Sequence, residues 1–174
     1  VRQEAARISS KNMAASGLTS TTDASGNRDD LVAYQDARRD DELSFRVSFM
    51  PNGNSKVYTG LKEAGIGSGY GDEMIRIGAV KFAADGSASE RTMSMSTPYE
   101  GKPDDYGILT MNQDEIYAAV DDAVAHDFRV GIHANGDIAI NMVLNAYEKV
   151  LKVNNGSNPR HRIEHCSLVN ESLL

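Results

Sequence analysis

The chain has 174 residues, a formal net charge of −7, and 40% hydrophobic and 25% charged residues. This length allows one domain with a sizeable core, and the composition is that of an ordinary globular protein. The acidic balance argues against a nucleic-acid partner, and no apolar run is long enough to span a membrane. The single cysteine, Cys166, excludes an internal disulfide and a cysteine-based zinc site, and it is compatible with a reducing compartment such as the cytoplasm.

The first part of the chain alternates between helix-forming segments and β-branched or alternating segments. The predicted elements are a helix over 2–15, a strand over 18–24, a helix over 28–41 and a strand over 44–50. In the second strand, period-two alternation places Phe45, Val47 and Phe49 on one face. The glycine-rich segment 51–73 follows, and only one helical turn, near 61–64, is predicted within it.

The second part of the chain repeats this alternation with longer elements. The predicted elements are a strand over 74–85, a polar segment over 86–109, a helix over 112–127, a strand over 128–134, a helix over 138–153 and a strand over 160–168. Asn112 and Glu115 form a capping-box pattern at the start of the first of these helices. The turn sequence 154–156 is predicted to close the second one.

Five strands alternating with helices predict an α/β fold with a parallel sheet. The two long segments, 51–73 and 86–109, both follow a strand and precede a helix, and such loops build sites at the C-terminal face of a sheet. A closed (β/α)₈ barrel needs about 250 residues. The chain is therefore expected to be either an open sheet or a consecutive slice of a TIM-type barrel, and the loops favour the slice. We predict one partial domain over 1–174, expected to be a piece of a longer protein because neither end carries a start or stop signal.

His133 lies near the C-terminal end of its predicted strand. Val130 and Ile132 share the face that packs under a helix, whereas Arg129, Gly131 and His133 share the other face. By itself His133 fits a metal ligand and a hydrogen-bonded structural histidine about equally.

Lys81 and Asp137 each have a functional and a structural interpretation. Lys81 stands in an apolar strand, where a lysine must be paired, neutralised or modified. A structural ion pair with a carboxylate would meet that requirement as well as a site role would. Asp137 directly precedes a helix, so the role of N-cap is the first expectation for it.

The stretch His161 to His165 matches H-x-x-E-H, a zinc-protease pattern when it lies on a helix. On a helix the two histidines would lie about 6 Å apart, whereas on a strand they would be about 13 Å apart and could not share one metal. Pro159 and the alternation of elements favour the strand. His161, Ile163 and His165 are then expected to share one face.

Lys81, His133 and His165 thus come near the C-terminal ends of three successive strands. Metal sites need ligands from several elements at one point, so the convergence predicts a metal site more strongly than any of these residues does alone.

Three motifs together resemble the metal-dependent amidohydrolase superfamily: "VKFAADGS" at 80–87, "IHANGDIAI" at 132–140 and "RHRIEHC" at 160–166. Within it, the chain resembles the branch of YtcJ-like and N-substituted formamide deformylase proteins. The resemblance begins at "GLTSTTDA" and follows the family's order, so that the chain would correspond to strands two to six of the barrel.

The resemblance implies roles for individual residues. Lys81 matches a lysine that is carboxylated and bridges two metals in many members, and His133 and His165 match histidine ligands on the next two strands. The three would serve both metal binding and catalysis. The resemblance also places Asp85, Asp137 and Glu164 as polar residues beside the ligands. The cofactor implied is divalent metal, one or two ions, with zinc favoured.

The resemblance implies a hydrolase of amide or related C–N bonds acting on a small molecule through a metal-activated hydroxide. The first-strand H-x-H and the last-strand aspartate of the family do not occur in this sequence, so this chain alone is expected to be inactive and to hold metal weakly. The alternative is a non-catalytic scaffold fragment. Exposed sheet edges favour self-association, so a homo-oligomer is predicted.

Overall fold

The computed structural model is an α/β structure, and it describes residues 1–153 and 159–174. The chain divides into two compact units. The first consists of Val1–Lys81 with His126–Phe128, and the second of Phe82–Ala125 with Arg129–Leu174.

The first unit contains three helices around a parallel three-stranded sheet of order β1–β2–β3. Its elements are α1 (Arg2–Ala15), β1 (Ser20–Gly26), α2 (Arg28–Arg39), β2 (Arg46–Pro51), α3 (Lys56–Glu63) and β3 (Ile75–Ile77). Phe45, Val47 and Phe49 are each at most 2% exposed, which confirms the predicted apolar face.

The second unit contains the sheet of order β4–β5–β6, in which β5 and β6 are parallel. Strand β4 spans Val80–Ala83, and its last two residues belong to this unit. The other elements are α4 (Gln113–Ala125), β5 (Val130–Ala134), α5 (Asp137–Val153), β6 (Arg162–His165) and a 3₁₀ helix (Glu171–Leu173). The closing turn predicted at 154–156 lies outside the described residues. No helix of the described ranges is long and apolar enough to cross a membrane.

Helix α4 begins as the sequence predicts. The Asn112 side chain accepts a hydrogen bond from the Glu115 backbone N–H at 2.9 Å, and the Glu115 carboxylate accepts one from the Asn112 N–H at 2.7 Å. The buried residues Ile116, Val120 and Ala123 follow on one side of the helix. The predicted capping box is therefore confirmed, and the helix has one buried apolar side.

The helical turn predicted near 61–64 is the end of a longer helix, so its position is confirmed but its length was wrong. The helix already begins at Lys56, and the Ser55 side chain caps it by accepting a hydrogen bond from the Tyr58 N–H. Tyr58 is buried and packs edge-on against the ring of Phe128 at 5.1 Å. This aromatic contact stabilises a helix that is too short and glycine-rich to be recognised from its own composition.

The prediction of one strand over 74–85 was also wrong, because this segment forms two strands. Residues Ile75–Ile77 pair with β2 and residues Val80–Ala83 form β4, so the described residues contain six strands rather than five. Gly78 lies at the break, where its N–H donates to the Phe49 carbonyl at 2.7 Å. A Cβ there would lie 2.5 Å from the Ser48 Oγ, so the close approach requires glycine.

Candidate metal centre

His133 is the penultimate residue of β5, with a side chain 19% exposed. Its Nε2 lies 2.7 Å from the carbonyl oxygen of Gly86, which follows β4 by three residues. A carbonyl oxygen only accepts hydrogen bonds, so this contact assigns the proton to Nε2. In the neutral ring Nδ1 is then the nitrogen with the free lone pair. A histidine that ligates a metal through one nitrogen usually donates its other N–H to such an acceptor.

Asp85 is a buried carboxylate that joins three segments of the second unit. Its side chain has no exposed surface, and it accepts three backbone N–H groups: Asn135 at 2.9 Å, Gly136 at 2.8 Å and Ser94 at 3.0 Å. Oδ1 also lies 3.5 Å from His133 Nε2. A buried charge must be compensated, and the three oriented N–H groups supply this compensation.

The ring of His165 lies against the ring of His133, with centroids 4.6 Å apart and an interplanar angle of 72°. Strand register alone does not explain this contact, because Ala134 is the partner of His165. Paired residues of parallel strands point to the same face, which for Ala134 is the face opposite His133. The backbone of His165 has a φ of 71°, and Cys166 has a φ of 52°. This left-handed backbone accounts for the ring of His165 reaching the face of His133.

The expectation that His161, Ile163 and His165 share one face was therefore wrong for His165. His161 packs on the other side, where its ring lies 5.0 Å from the ring of Tyr147 on α5. Its Nδ1 accepts a hydrogen bond from the Val130 N–H at 3.1 Å. Burial, and secondarily Arg129, lower the pKa of His161 below its ordinary value. His161 is thus a neutral structural residue.

The helical zinc-protease interpretation of H-x-x-E-H was wrong. The segment Arg162–His165 is a strand, as the alternation of elements predicted. On this strand Glu164 pairs in register with His133. The Glu164 carboxylate forms an ion pair with Arg162, at 2.9 Å from its Nε. Glu164 therefore lies on the same face of the sheet as His133.

Asp137 anchors the segment 86–109. It is the first residue of α5, and Gly136 occupies the cap position, since the Gly136 carbonyl accepts the first helical hydrogen bond, from Ile140. The expected N-cap role was thus wrong by one residue. The Asp137 carboxylate nevertheless accepts a hydrogen bond from the Ile138 N–H of the first helical turn at 3.1 Å. It also accepts hydrogen bonds from the Ser96 N–H at 2.9 Å and from the Ser96 hydroxyl. A carboxylate in the first turn also favours the helix dipole.

Gly136 allows this segment to approach the helix closely. A Cβ at Gly136 would lie 1.8 Å from the carbonyl oxygen of Ser94, so no other residue fits without moving the backbone. With Asp85 bound to the Ser94 N–H and Asp137 bound to Ser96, residues 94–96 are fixed against the start of α5. The long polar segment is therefore ordered at this point.

Lys81 belongs to β4 and is only 7% exposed. Its backbone carbonyl accepts a hydrogen bond from the Gly53 N–H at 2.8 Å, and its backbone bridges Asn52. The expected buried position of this lysine in an apolar strand is confirmed. Its role as a ligand stays a prediction.

Sequence reasoning missed Asn135, which is buried beside His133 and hydrogen bonds to Gly86 and Ser167. The described residues contain no group of three or more His, Cys, Asp or Glu placed to hold a metal. What they do contain is a pair of adjacent imidazoles, one of them with an assigned tautomer. Imidazole nitrogens suit zinc and other first-row metals, so this pair fits part of a metal site.

Two solved structures show which class of protein this chain resembles in its fold. One is a crystal structure of an uncharacterized metal-dependent hydrolase from Pyrococcus horikoshii OT3, with a TM-score of 0.83 and 29% identity. The other is a crystal structure of an uncharacterized metal-dependent hydrolase from Pyrococcus furiosus, with a TM-score of 0.82 and 30% identity. Each match covers 95% of this chain, and 32% and 33% of the respective solved chains.

The family follows from the sequence comparisons. The model of the "Amidohydrolase family" matches residues 2–174. The putative amidohydrolase YtcJ of Bacillus subtilis (strain 168) is 31% identical over 101 residues, which are 58% of this chain and 18% of that protein. The protein LONG AFTER FAR-RED 3 of Arabidopsis thaliana is 33% identical over 93 residues, 53% of this chain and 16% of that protein. The chain belongs to the amidohydrolase family, in its YtcJ-like branch, and spans about a third of the solved relatives and under a fifth of the curated ones.

Proposed function

We propose that this chain forms part of the active site of a metal-dependent hydrolase that cleaves amide or related C–N bonds of small molecules. The observation that carries the proposal is the pair His133 and His165. Their rings are adjacent at the ends of two parallel strands, and the Nε2 proton of His133 is engaged by the Gly86 carbonyl. This arrangement leaves a lone pair on Nδ1, as a neutral histidine ligand requires.

The residues proposed to hold the metal are His133, His165 and Lys81. When bound, a divalent ion supplies a lowered pKa for water and polarises the carbonyl of the substrate. Zinc fits the imidazole donors best. Carboxylation of Lys81, which is only 7% exposed, would convert a buried cation into an anionic oxygen donor that suits a divalent metal.

The remaining polar residues are proposed to support the site. Asp85 binds the backbone N–H groups of Asn135 and Gly136, which follow His133, and so holds His133 close to Gly86. Asp137 fixes Ser96 in the segment 86–109. Glu164 lies on the face of His133, and we propose that its carboxylate contributes negative charge beside the ligands. We propose that the segments 51–73 and 86–109 determine which substrate binds.

We further propose that the described strands correspond to strands two to six of a TIM-type barrel in one partial domain, with β3 and β4 together forming one of the five. The support is the alternation of strands and helices together with the similarity to solved metal-dependent hydrolases. In such a barrel, ligands at the C-terminal ends of strands converge at one mouth. The 174-residue chain alone is then expected to bind metal weakly and to lack activity.

Metal analysis of the full-length protein tests the proposal. We expect zinc to be retained after dialysis in the wild type and strongly reduced in His133→Ala and in His165→Ala. His126→Ala serves as the control, because His126 follows α4 and is exposed. Hydrolysis of a panel of N-acyl and N-formyl amines should fall with the metal. Full metal content and full activity in both site variants would refute the proposed site.

A second function is a non-catalytic fragment that associates with itself. It is favoured by the exposed apolar side chains of Tyr106, Ile108 and Leu109, which are 45–52% exposed, and by the edge strands of both sheets. Sedimentation of the 174-residue chain at micromolar concentration tests this function. A dimer or larger species is expected, and a strict monomer would contradict it.

A further inference from the structure

Asn135 is a buried polar residue, 4% exposed, whose side-chain oxygen and nitrogen both form hydrogen bonds. Its Oδ1 accepts a hydrogen bond from the Ser167 hydroxyl at 2.6 Å, and its Nδ2 donates to the Gly86 carbonyl at 3.0 Å. The reversed amide would place two acceptors, Oδ1 and the Gly86 oxygen, at this distance. Nδ2 also lies 3.0 Å from His133 Nε2, whose proton is directed to Gly86, so the amide orientation is assigned from the Gly86 and Ser167 contacts.

The Gly86 carbonyl receives two donors, His133 Nε2 at 2.7 Å and Asn135 Nδ2 at 3.0 Å. A carbonyl oxygen has two lone pairs and can accept both. The donor from Asn135 therefore fixes the position of the acceptor to which His133 donates.

The backbone of Asn135 is held as firmly as its side chain. Its N–H donates to Asp85 Oδ1 at 2.9 Å, and its carbonyl accepts from the Leu168 N–H at 2.9 Å. Asn135 thus bonds to the segment after β4 and to the segment after β6. The segment after β4 contains Gly86, the partner of His133, and the segment after β6 directly follows His165.

We propose that Asn135 is a positioning residue for His133. It holds the Gly86 carbonyl, and through it the Nε2–H tautomer and the ring orientation of His133, while Ser167 ties this arrangement to the segment that follows His165. The effect on metal affinity rests on the proposed function, whereas the effect on the tautomer depends only on the described contacts.

The test is long-range ¹H–¹⁵N NMR of the histidine rings in the full-length, metal-free protein at a pH where the imidazoles are neutral. We expect the Nε2–H tautomer for wild-type His133. In Asn135→Ala the Nε2 proton should exchange with water about tenfold faster, and the tautomer signature should shift towards a mixture. The Ser167→Ala variant, which retains Asn135, should shift both in the same direction by less. The control Asn145→Ala, at an exposed position on α5, should leave both unchanged.

Zinc titration of the same variants gives the second readout, with an expected loss of affinity of about 10- to 100-fold in Asn135→Ala. If Asn135→Ala does not fold, the NMR measurement and the zinc titration of Ser167→Ala test the inference in its place. An unchanged tautomer and exchange rate with only a lower melting temperature would overturn the inference, and so would a better protected Nε2 proton, since Asn135 would then compete for Gly86. If the wild type binds no zinc, the proposed function fails, and the NMR result alone decides the role of Asn135.

Discussion

Replacing Asp85 with asparagine tests how much the hydrogen bonds of this buried carboxylate stabilise the fold, because the side chain keeps its size and shape. The carboxylate has no exposed surface and accepts three backbone N–H groups from two segments. An amide of the same size offers only one acceptor oxygen in place of two. The variant therefore changes hydrogen bonding and charge without creating a cavity.

The magnitude follows from the two oxygens. Oδ2 accepts two N–H groups and Oδ1 accepts one, so the best amide orientation keeps its oxygen at Oδ2 and turns its NH₂ towards the Asn135 N–H. A lost hydrogen bond to a charged group costs about 1.5–3 kcal/mol, and a buried N–H without an acceptor costs about 1–3 kcal/mol. Part of this is offset because the neutral amide no longer buries a charge. We expect a loss of about 3 kcal/mol in the free energy of unfolding.

Urea unfolding followed by circular dichroism measures this loss. The matched control is Asp72→Asn, because the Asp72 carboxylate also accepts two backbone N–H groups, from Met74 at 2.7 Å and Ile75 at 2.8 Å, but is exposed to solvent. In the control both N–H groups donate to one oxygen, Oδ1, which an amide retains, and the site is open to water, so its stability should change much less. Equal losses in the two variants, or no loss in Asp85→Asn, would refute the argument that the buried carboxylate is held by three N–H groups.

Three further variants test separate contacts. Gly136→Ala forces a Cβ against the Ser94 carbonyl, at 1.8 Å before any shift, and should cost at least about 1–3 kcal/mol in the free energy of unfolding by denaturant melts. Because burial lowers the pKa of His161 below 6.5, its contribution to stability is complete above pH 6.5 and is lost as the pH falls through the lower folded-state pKa. The wild type should therefore lose more stability between pH 7 and pH 5 than His161→Phe, and parallel pH profiles would contradict this. Asn112→Ala removes a helix cap and should cost about 1 kcal/mol, whereas an unchanged melting temperature would show that the cap contributes nothing.

The elements that the sequence predicted correctly are those whose signal is local. The capping box at Asn112 and the alternation through Phe45 to Phe49 need only neighbouring residues, and both are present in the structure. The division of the segment 74–85 into two strands depends instead on a distant contact. Gly78 bonds to Phe49, which is remote in sequence, and no local pattern announces that pairing.

The site shows the same division. The position of His133 at a strand end could be predicted from alternation, and the structure confirms it. The approach of His165 could not be derived correctly, because it depends on a left-handed backbone at a residue that is not glycine. Ser94 was missed because it contributes a backbone N–H, which has no side-chain signal in a sequence. Asn135 was missed because the partners of its amide, Gly86 and Ser167, are distant in sequence.

The proximity of Asp85 to His133 suggests an acid–base pair, but the hydrogen bonds argue otherwise. Both carboxylate oxygens are already occupied by backbone N–H groups, and Oδ1 is 3.5 Å from Nε2. The Gly86 carbonyl is nearer, at 2.7 Å, and therefore accepts the hydrogen bond from the Nε2–H of His133. Asp85 thus fixes the backbone beside the imidazole ring, and Gly86 determines the tautomer of His133. With the proton on Nε2, Nδ1 of His133 can act as a metal ligand.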